Sequence, residues 1–142
     1  MNKINMGRVL IAGLVAGVVL NFGEFLFNSV LLAKTMEEEL RKLNLGPPTN
    51  TFIIRAVGVT FMLGIAMVYL YAAIRPRFGP GVKTAVCAGL FCWFFVYLYT
   101  GYINQALGII SVNLFWLSLG WGLIEYSAGA IAGAWLYKED AS

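Results

Sequence analysis

Two glutamates, Glu24 and Glu125, are the residues of this 142-residue chain best placed to do chemistry. Each lies near the middle of a long apolar segment that contains almost no other charge. A carboxylate at the centre of a bilayer is destabilised by about 2.5 kcal/mol or more unless it is protonated, paired or hydrated. Carboxyl groups in such a place can carry a proton, bind a cation or tie helices together, so both are candidate site residues.

The first apolar segment has one face on which small residues are followed by polar ones. At about 100° per residue, five side chains share an arc of roughly 80°: Gly13, Gly17, Asn21, Glu24 and Asn28. Small residues at every fourth position let a second helix approach closely. The polar half needs partners from protein, because lipid supplies none. We therefore expect this face to be buried against another helix.

The last apolar segment repeats this pattern, and its candidate residues are Ser118, Gly122, Glu125, Gly129 and Gly133. The two segments run in opposite directions, and a rise of about 1.5 Å per residue puts both glutamates at similar depth. Arg55, near the outer start of the second segment, is the expected partner of Glu24 through a charge-assisted hydrogen bond. The alternative is that Arg55 extends to lipid headgroups. Asn21 and Asn28 are the other expected hydrogen-bond partners of Glu24.

Three interpretations of this intramembrane polar cluster stay open. The glutamates join the helices as structural groups, or they line a path for protons, ions or substrate, or they help to bind a partner subunit or a hydrophobic cofactor. The sequence contains no nucleophile–base pair, phosphate loop or metal-ligand cluster, so enzymatic activity is not the favoured interpretation.

Composition places the chain in a membrane. It is 60% hydrophobic and 12% charged, with a mean hydropathy of +0.77, whereas soluble domains are about 25% charged. The net charge of +3 comes from a few basic residues beside apolar segments, where lysine and arginine anchor and orient helices. We expect membrane lipids as partners, and no nucleic acid.

No cofactor is predicted. The chain has no histidine, which removes the usual haem ligand and the usual acid–base group at neutral pH. Cys87 and Cys92 are five residues apart, about 140° on a helix, so no local disulfide is expected between them. A bound lipid, quinone or other flat hydrophobic ligand remains an open alternative.

The expected fold is all-α: one polytopic membrane domain with four transmembrane helices in one bundle. The spans are residues 8–33, 51–74, 82–102 and 113–137, since about 20 apolar residues cross a bilayer. Pro76 is expected to stop the second span. The Lys/Arg balance predicts that both termini are cytoplasmic.

The first loop is expected to hold a short amphipathic helix on the outer surface. Thr35 and Glu38 match a capping box, and the apolar face comprises Met36, Leu40 and Leu43. The charged residues Glu37, Glu38, Glu39, Arg41 and Lys42 are interpreted as its solvated face. The second loop, residues 75–83, is predicted to be a tight basic turn beside anionic lipid headgroups.

The third span is rich in aromatic residues: Phe91, Trp93, Phe94, Phe95, Tyr97, Tyr99 and Tyr102. The three tyrosines lie towards the outer end of the span. Aromatic side chains anchor helices at membrane interfaces, so we expect these tyrosines to belong to an interfacial belt.

Residues 71–85 (YAAIRPRFGPGVKTA), residues 130–139 (AIAGAWLYKE) and the opening motif of Gly13, Gly17, Asn21 and Glu24 resemble a family of small four-helix bacterial inner-membrane proteins of unknown function. The resemblance implies the fold and a bacterial inner membrane, and no activity. The favoured function is a non-enzymatic accessory or structural subunit of a larger membrane assembly, or a self-associating bundle. The alternative is a small oligomeric proton- or ion-coupled transporter or channel that uses Glu24 and Glu125.

Overall fold

The computed structural model describes residues 3–138, and the regular elements within this range are helices without strands. This confirms the all-α expectation. The elements are α1 (Met6–Phe25), which continues into a π-helical segment (Leu26–Leu31), then α2 (Ala33–Lys42), α3 (Asn50–Phe78), α4 (Val82–Trp93), a second π-helical segment (Phe94–Tyr99), α5 (Thr100–Ala106) and α6 (Val112–Leu136).

Three continuous helical stretches are long and apolar enough to cross a membrane: Met6–Leu31, Asn50–Phe78 and Val82–Ala106. The fourth long helix, α6, has the length, with 25 residues. It is not among those three stretches: four glycines and three tryptophans dilute its aliphatic residues, and Glu125 lies at its middle.

The long helices pack so that α1 contacts α3 and α6, while α4 contacts α6 and α3. Their shared core combines small alanines with a few large side chains, and its main members are Val9, Ala12, Ala16, Leu20, Met67, Val68, Tyr71, Ala72, Ala85, Ala88, Tyr126 and Ala130. Because so many of these residues are small, the helix axes come close together.

The closest approach joins α1 to α3. A Cβ built on Gly64 would lie 2.5 Å from the backbone N of Gly17 and 2.6 Å from the carbonyl O of Gly13, so the two backbones touch. Gly13 and Gly17 are therefore on the face against α3, and Gly64 is their partner, which the sequence pattern did not indicate. Gly129 and Gly133 lie on the face of α6 that packs against α1.

Two expected helix boundaries were wrong. α3 passes through Pro76 and ends only at Phe78, where Gly79 follows with φ +83°. Proline removes one backbone donor, and in the last turn this is tolerated, so the left-handed glycine ends the helix instead. α2 begins at Ala33, so Thr35 lies inside the helix and forms no capping box.

The expectation that Glu39 lies on the solvated face of α2 was also wrong. It is buried: its Oε2 accepts a hydrogen bond from the backbone N of Ser111 at 3.2 Å, and its Oε1 accepts one from Lys42 Nζ at 3.0 Å. The Lys42 hydrogen bond holds the pKa of Glu39 below its usual value, and the Ser111 hydrogen bond adds to this. Since Ser111 caps the first turn of α6, the carboxylate joins α2 to the positive end of that helix.

Candidate functional site

Three side chains from three different helical segments meet at the carboxyl cluster, which we define as Glu24, Tyr97 and Glu125. The Tyr97 hydroxyl lies 2.9 Å from Glu24 Oε1 and 3.5 Å from Glu125 Oε2. A phenol has one hydrogen to donate. Tyr97 therefore donates to Glu24 at the shorter distance, and its oxygen remains available towards Glu125.

Glu24 is well supported. In addition to Tyr97 on Oε1, its Oε2 accepts a hydrogen bond from Asn28 Nδ2 at 2.8 Å. The same Asn28 nitrogen is 2.9 Å from the Glu24 carbonyl O, so the amide is held in place by its own helix. Two donors therefore hold this half-buried carboxyl in one orientation.

Glu125 is the opposite case. It is 4% exposed, and its Oε1 has no hydrogen-bond partner among residues 3–138. The indole of Trp121, one turn earlier on α6, lies near the carboxyl, and its buried Nε1 has no hydrogen-bond partner within the described chain. Burying a carboxyl oxygen without a partner is unfavourable.

No lysine or arginine in residues 3–138 forms an ion pair with either glutamate. Arg55 does not pair with Glu24 as expected: it is exposed, and the whole first part of α3, residues 51–59, is exposed with it. Asn28 and Tyr97 occupy the positions that Arg55 was expected to fill. The two carboxyls therefore meet at the Tyr97 hydroxyl without an ion pair to a basic side chain of the described residues.

Two glycines make room for the cluster. A Cβ on Gly23 would lie 2.6 Å from Cγ of Glu125, and a Cβ on Gly122 would lie 2.5 Å from the ring of Tyr97. Any larger side chain at either position would displace a cluster member. Gly122 was a predicted packing residue, whereas Gly23 was missed because it lies beside the small-residue face.

Both π-helical segments contribute to the cluster or its support. Asn28 lies within Leu26–Leu31, and Tyr97 lies within Phe94–Tyr99. A π-turn adds a residue to the helical turn and thus changes the direction of the side chains that follow, and such turns occur frequently at functional sites. The regular 100° wheel could not anticipate this, which is one reason that Tyr97 was missed.

Tyr97 was expected in an interfacial belt, and this was wrong. Its ring packs edge-on against Tyr126 at 5.2 Å, and its hydroxyl contacts Glu24 on α1 and Glu125 on α6. Tyr99 and Tyr102, by contrast, are exposed. A signal for Tyr97 does exist in the sequence, since a hydroxyl at the same counted depth as both glutamates is a natural hydrogen-bond donor to them.

The remaining predicted polar residues lie outside the carboxyl cluster. Asn21 Nδ2 contacts the carbonyl O of Gly17 at 2.9 Å and that of Val57 at 3.4 Å, and so joins α1 to α3. Ser118 is half-buried, and its side chain forms no hydrogen bond within residues 3–138. In residues 3–138, no three His, Cys, Asp or Glu side chains are grouped to hold a metal ion.

Comparison of the chain with protein-family models, with curated proteins and with solved structures gave no match. The resemblance to small four-helix bacterial inner-membrane proteins stays a prediction.

Proposed function

We propose that this chain is a multi-pass protein of the bacterial inner membrane that takes up and releases a proton at the carboxyl cluster. Its four spans are Met6–Leu31, Asn50–Phe78, Val82–Ala106 and α6, with both termini in the cytoplasm. The apolar length of the first three spans supports this placement. α6 packs along α1 and α4, so it crosses with them.

The observation that carries the proposal is the Tyr97 hydroxyl between two carboxyls of unlike environment. Glu24 accepts hydrogen bonds from two donors, while Glu125 is buried with one oxygen unpartnered among residues 3–138. Groups whose environments differ in this way divide into a proton donor and a proton acceptor. The cluster therefore has the arrangement of a proton relay rather than of a simple structural contact.

The relay step balances in protons and charge. The Glu125 hydroxyl gives its proton to the Tyr97 oxygen while the Tyr97 proton passes to Glu24 Oε1. One O–H bond breaks and another forms at the phenol, which ends neutral, and the negative charge moves from Glu24 to Glu125. The 3.5 Å distance between Tyr97 and Glu125 must shorten for the first transfer, since efficient proton transfer needs about 2.6–3.2 Å.

We infer a small proton-coupled transporter or channel that works as an oligomer. The interior between the helices is filled by alanine and glycine contacts, which leaves little space within one chain for a substrate path. A path between copies of the chain meets this requirement.

The experiment is proton flux into proteoliposomes under an imposed pH gradient. Glu125→Gln, Glu24→Gln and Tyr97→Phe are each expected to lower the flux by roughly 100-fold or more, the scale of one acid–base group. Glu38→Gln, at an exposed carboxylate of α2, is the control and should match the wild type. Wild-type flux equal to that of empty liposomes would exclude the transport function.

A second candidate is favoured by a separate observation. The third apolar stretch, Val82–Ala106, is mostly exposed: only 11% of its most apolar 18 residues are buried against the rest of the chain. Aromatic side chains that include Phe91, Phe95 and Tyr102 are exposed on it. A non-enzymatic accessory or structural subunit would use such a face to contact other membrane subunits or a second copy. Purification in mild detergent as a lone monomer would count against this candidate.

A further inference from the structure

Two buried polar atoms one helical turn apart on α6 have complementary chemistry. Trp121 Nε1 is a donor and Glu125 Oε1 is an acceptor, and neither has a hydrogen-bond partner within residues 3–138. Side chains at positions i and i+4 of a helix lie beside each other, and the indole is near the carboxyl. Leaving either atom without a partner in an apolar interior is unfavourable, so each is the natural partner of the other.

The Trp121 ring is held against α1. It stacks on the ring of Phe27, with centroids 5.6 Å apart and an angle of 22° between the planes. Phe27 is buried and lies in the π-helical segment Leu26–Leu31, the segment whose Asn28 donates to Glu24. The indole is therefore fixed by its stacking, and a donor fixed in this way needs little reorganisation to stabilise a partner.

The Glu125 carboxyl has the freedom to turn towards this donor. Its contact with the Tyr97 hydroxyl is long, 3.5 Å to Oε2, so this contact alone does not fix the carboxyl plane. The last torsion of a glutamate side chain is broad, and rotation about it is easy. A Cβ on Gly23 would lie 3.0 Å from Oε2, so Oε2 is the oxygen that faces α1, and Oε1 is the one left for the indole.

We propose that Trp121 is a positioning residue of the carboxyl cluster: its indole N–H donates to Glu125 Oε1 and so directs Oε2 towards the Tyr97 hydroxyl. An indole nitrogen donates and does not accept, so it pairs with the carboxyl oxygen that carries no proton. A protonated Glu125 then has its hydroxyl on Oε2, where the relay step needs it. The hydrogen bond does not depend on proton transfer, whereas its effect on flux rests on the proposed function.

The test of the hydrogen bond is nuclear magnetic resonance of the full chain in detergent, with isotope-labelled indole nitrogens in its four tryptophans. Trp121→Phe identifies the Trp121 signal and keeps an aromatic ring on Phe27. In Glu125→Leu, which removes the acceptor, the Trp121 indole proton should move upfield, because a proton in a hydrogen bond to oxygen resonates downfield. Ser118→Ala is the matched control, because this hydroxyl, three residues before Trp121, is the rival acceptor on the same helix.

A Trp121 signal that is unchanged in Glu125→Leu, or that moves equally in Ser118→Ala, would overturn the proposal. If Trp121→Phe does not fold, phenylalanine at each of the other three tryptophans identifies the Trp121 signal by elimination.

The effect on the relay is measured as proton flux in proteoliposomes. Trp121→Phe should lower the flux by roughly tenfold, the effect of one lost hydrogen bond. Trp116→Phe, at an exposed tryptophan of the same helix, should match the wild type, and equal flux in the two variants would refute the positioning role. Wild-type flux equal to that of empty liposomes would exclude the proposed function alone, and the Trp121 signal would then decide whether the hydrogen bond exists.

Discussion

At the scale of single residues, the candidate site is decided by what pairs with each carboxyl. Apolar context predicted that Glu24 and Glu125 need partners, and counting residues along antiparallel helices put them at a common depth. Asn28 was one of the expected partners of Glu24, and it donates to that carboxyl. Tyr97 was missed, because its direction is set by the π-helical segment Phe94–Tyr99 and a regular wheel does not show it. Arg55, the other expected partner, forms no ion pair with Glu24.

Tyr97→Phe tests the hydroxyl with little change in ring packing. Glu24 Oε1 would lose its donor, and an unsatisfied buried acceptor destabilises a protein by about 1–3 kcal/mol. We expect the midpoint of thermal unfolding in detergent to fall, together with the loss of proton flux. The control is Tyr99→Phe, since Tyr99 is exposed on the same segment. Equal midpoints for the two variants would show that the Tyr97 hydrogen bonds contribute nothing.

Gly23→Ala tests the space for Glu125. The added methyl would lie 2.6 Å from Glu125 Cγ, so the carboxyl must move away from Tyr97, and overpacking of this kind is destabilising by about 1–3 kcal/mol. Gly58→Ala is the matched control, because Gly58 lies inside α3 with nothing within 4 Å of an added Cβ. Unfolding free energies measured for both should fall for Gly23→Ala only; a stable and active Gly23→Ala protein would contradict the packing described.

At the scale of elements, the sequence predicted where helices occur much better than it predicted where they begin and end. Long apolar periodic segments and the charged amphipathic stretch at α2 predicted the correct helices, because burial of apolar surface needs them. The end of a helix depends on which of several nearby helix-breaking residues stops it. In α3 this residue is Gly79 and not Pro76. The burial of Glu39 depended on a contact with Ser111, 72 positions along the chain, which no local pattern contains.

The Glu39 contact predicts a pH-dependent attachment of α2 to α6. The folded pKa of Glu39 is lowered from the usual 4.5, so its stabilisation is complete above that value and is lost as the pH falls through the lowered pKa. Glu39→Gln should remove about 0.3–1 kcal/mol at neutral pH, seen as faster hydrogen exchange at the Leu114 amide. Glu38→Gln should leave exchange unchanged; an identical increase in both variants would contradict the anchor.

At the scale of the whole molecule, the predicted all-α architecture is present, and three helices have the apolar length for a membrane. Global features of this kind are recoverable from sequence because composition and apolar run length are set by the solvent around the chain. Which helix faces which is not recoverable in the same way. It depends on close backbone contacts such as Gly64 against Gly13 and Gly17. The Gly13 and Gly17 face was visible in the sequence, but Gly64 has no second glycine four residues away to indicate its role.

The proposed orientation predicts the labelling of single cysteines in a background without Cys87 and Cys92. A cysteine at Thr49, just before α3, should react with a membrane-impermeant reagent added outside intact cells. A cysteine at Gly79, just after α3, should react only after the cells are opened. The opposite result would invert the topology.

The most direct test of the central claim is infrared spectroscopy of the chain in lipid membranes at neutral pH, where the carbonyl stretch of a protonated carboxyl is resolved from that of a carboxylate. The wild type should show a protonated carboxyl band that disappears in Glu125→Gln and is unchanged in Glu38→Gln. The proposed relay requires this band, because it starts from a protonated Glu125. A wild-type spectrum without it, or with a band that Glu125→Gln leaves intact, would contradict the account of the carboxyl cluster.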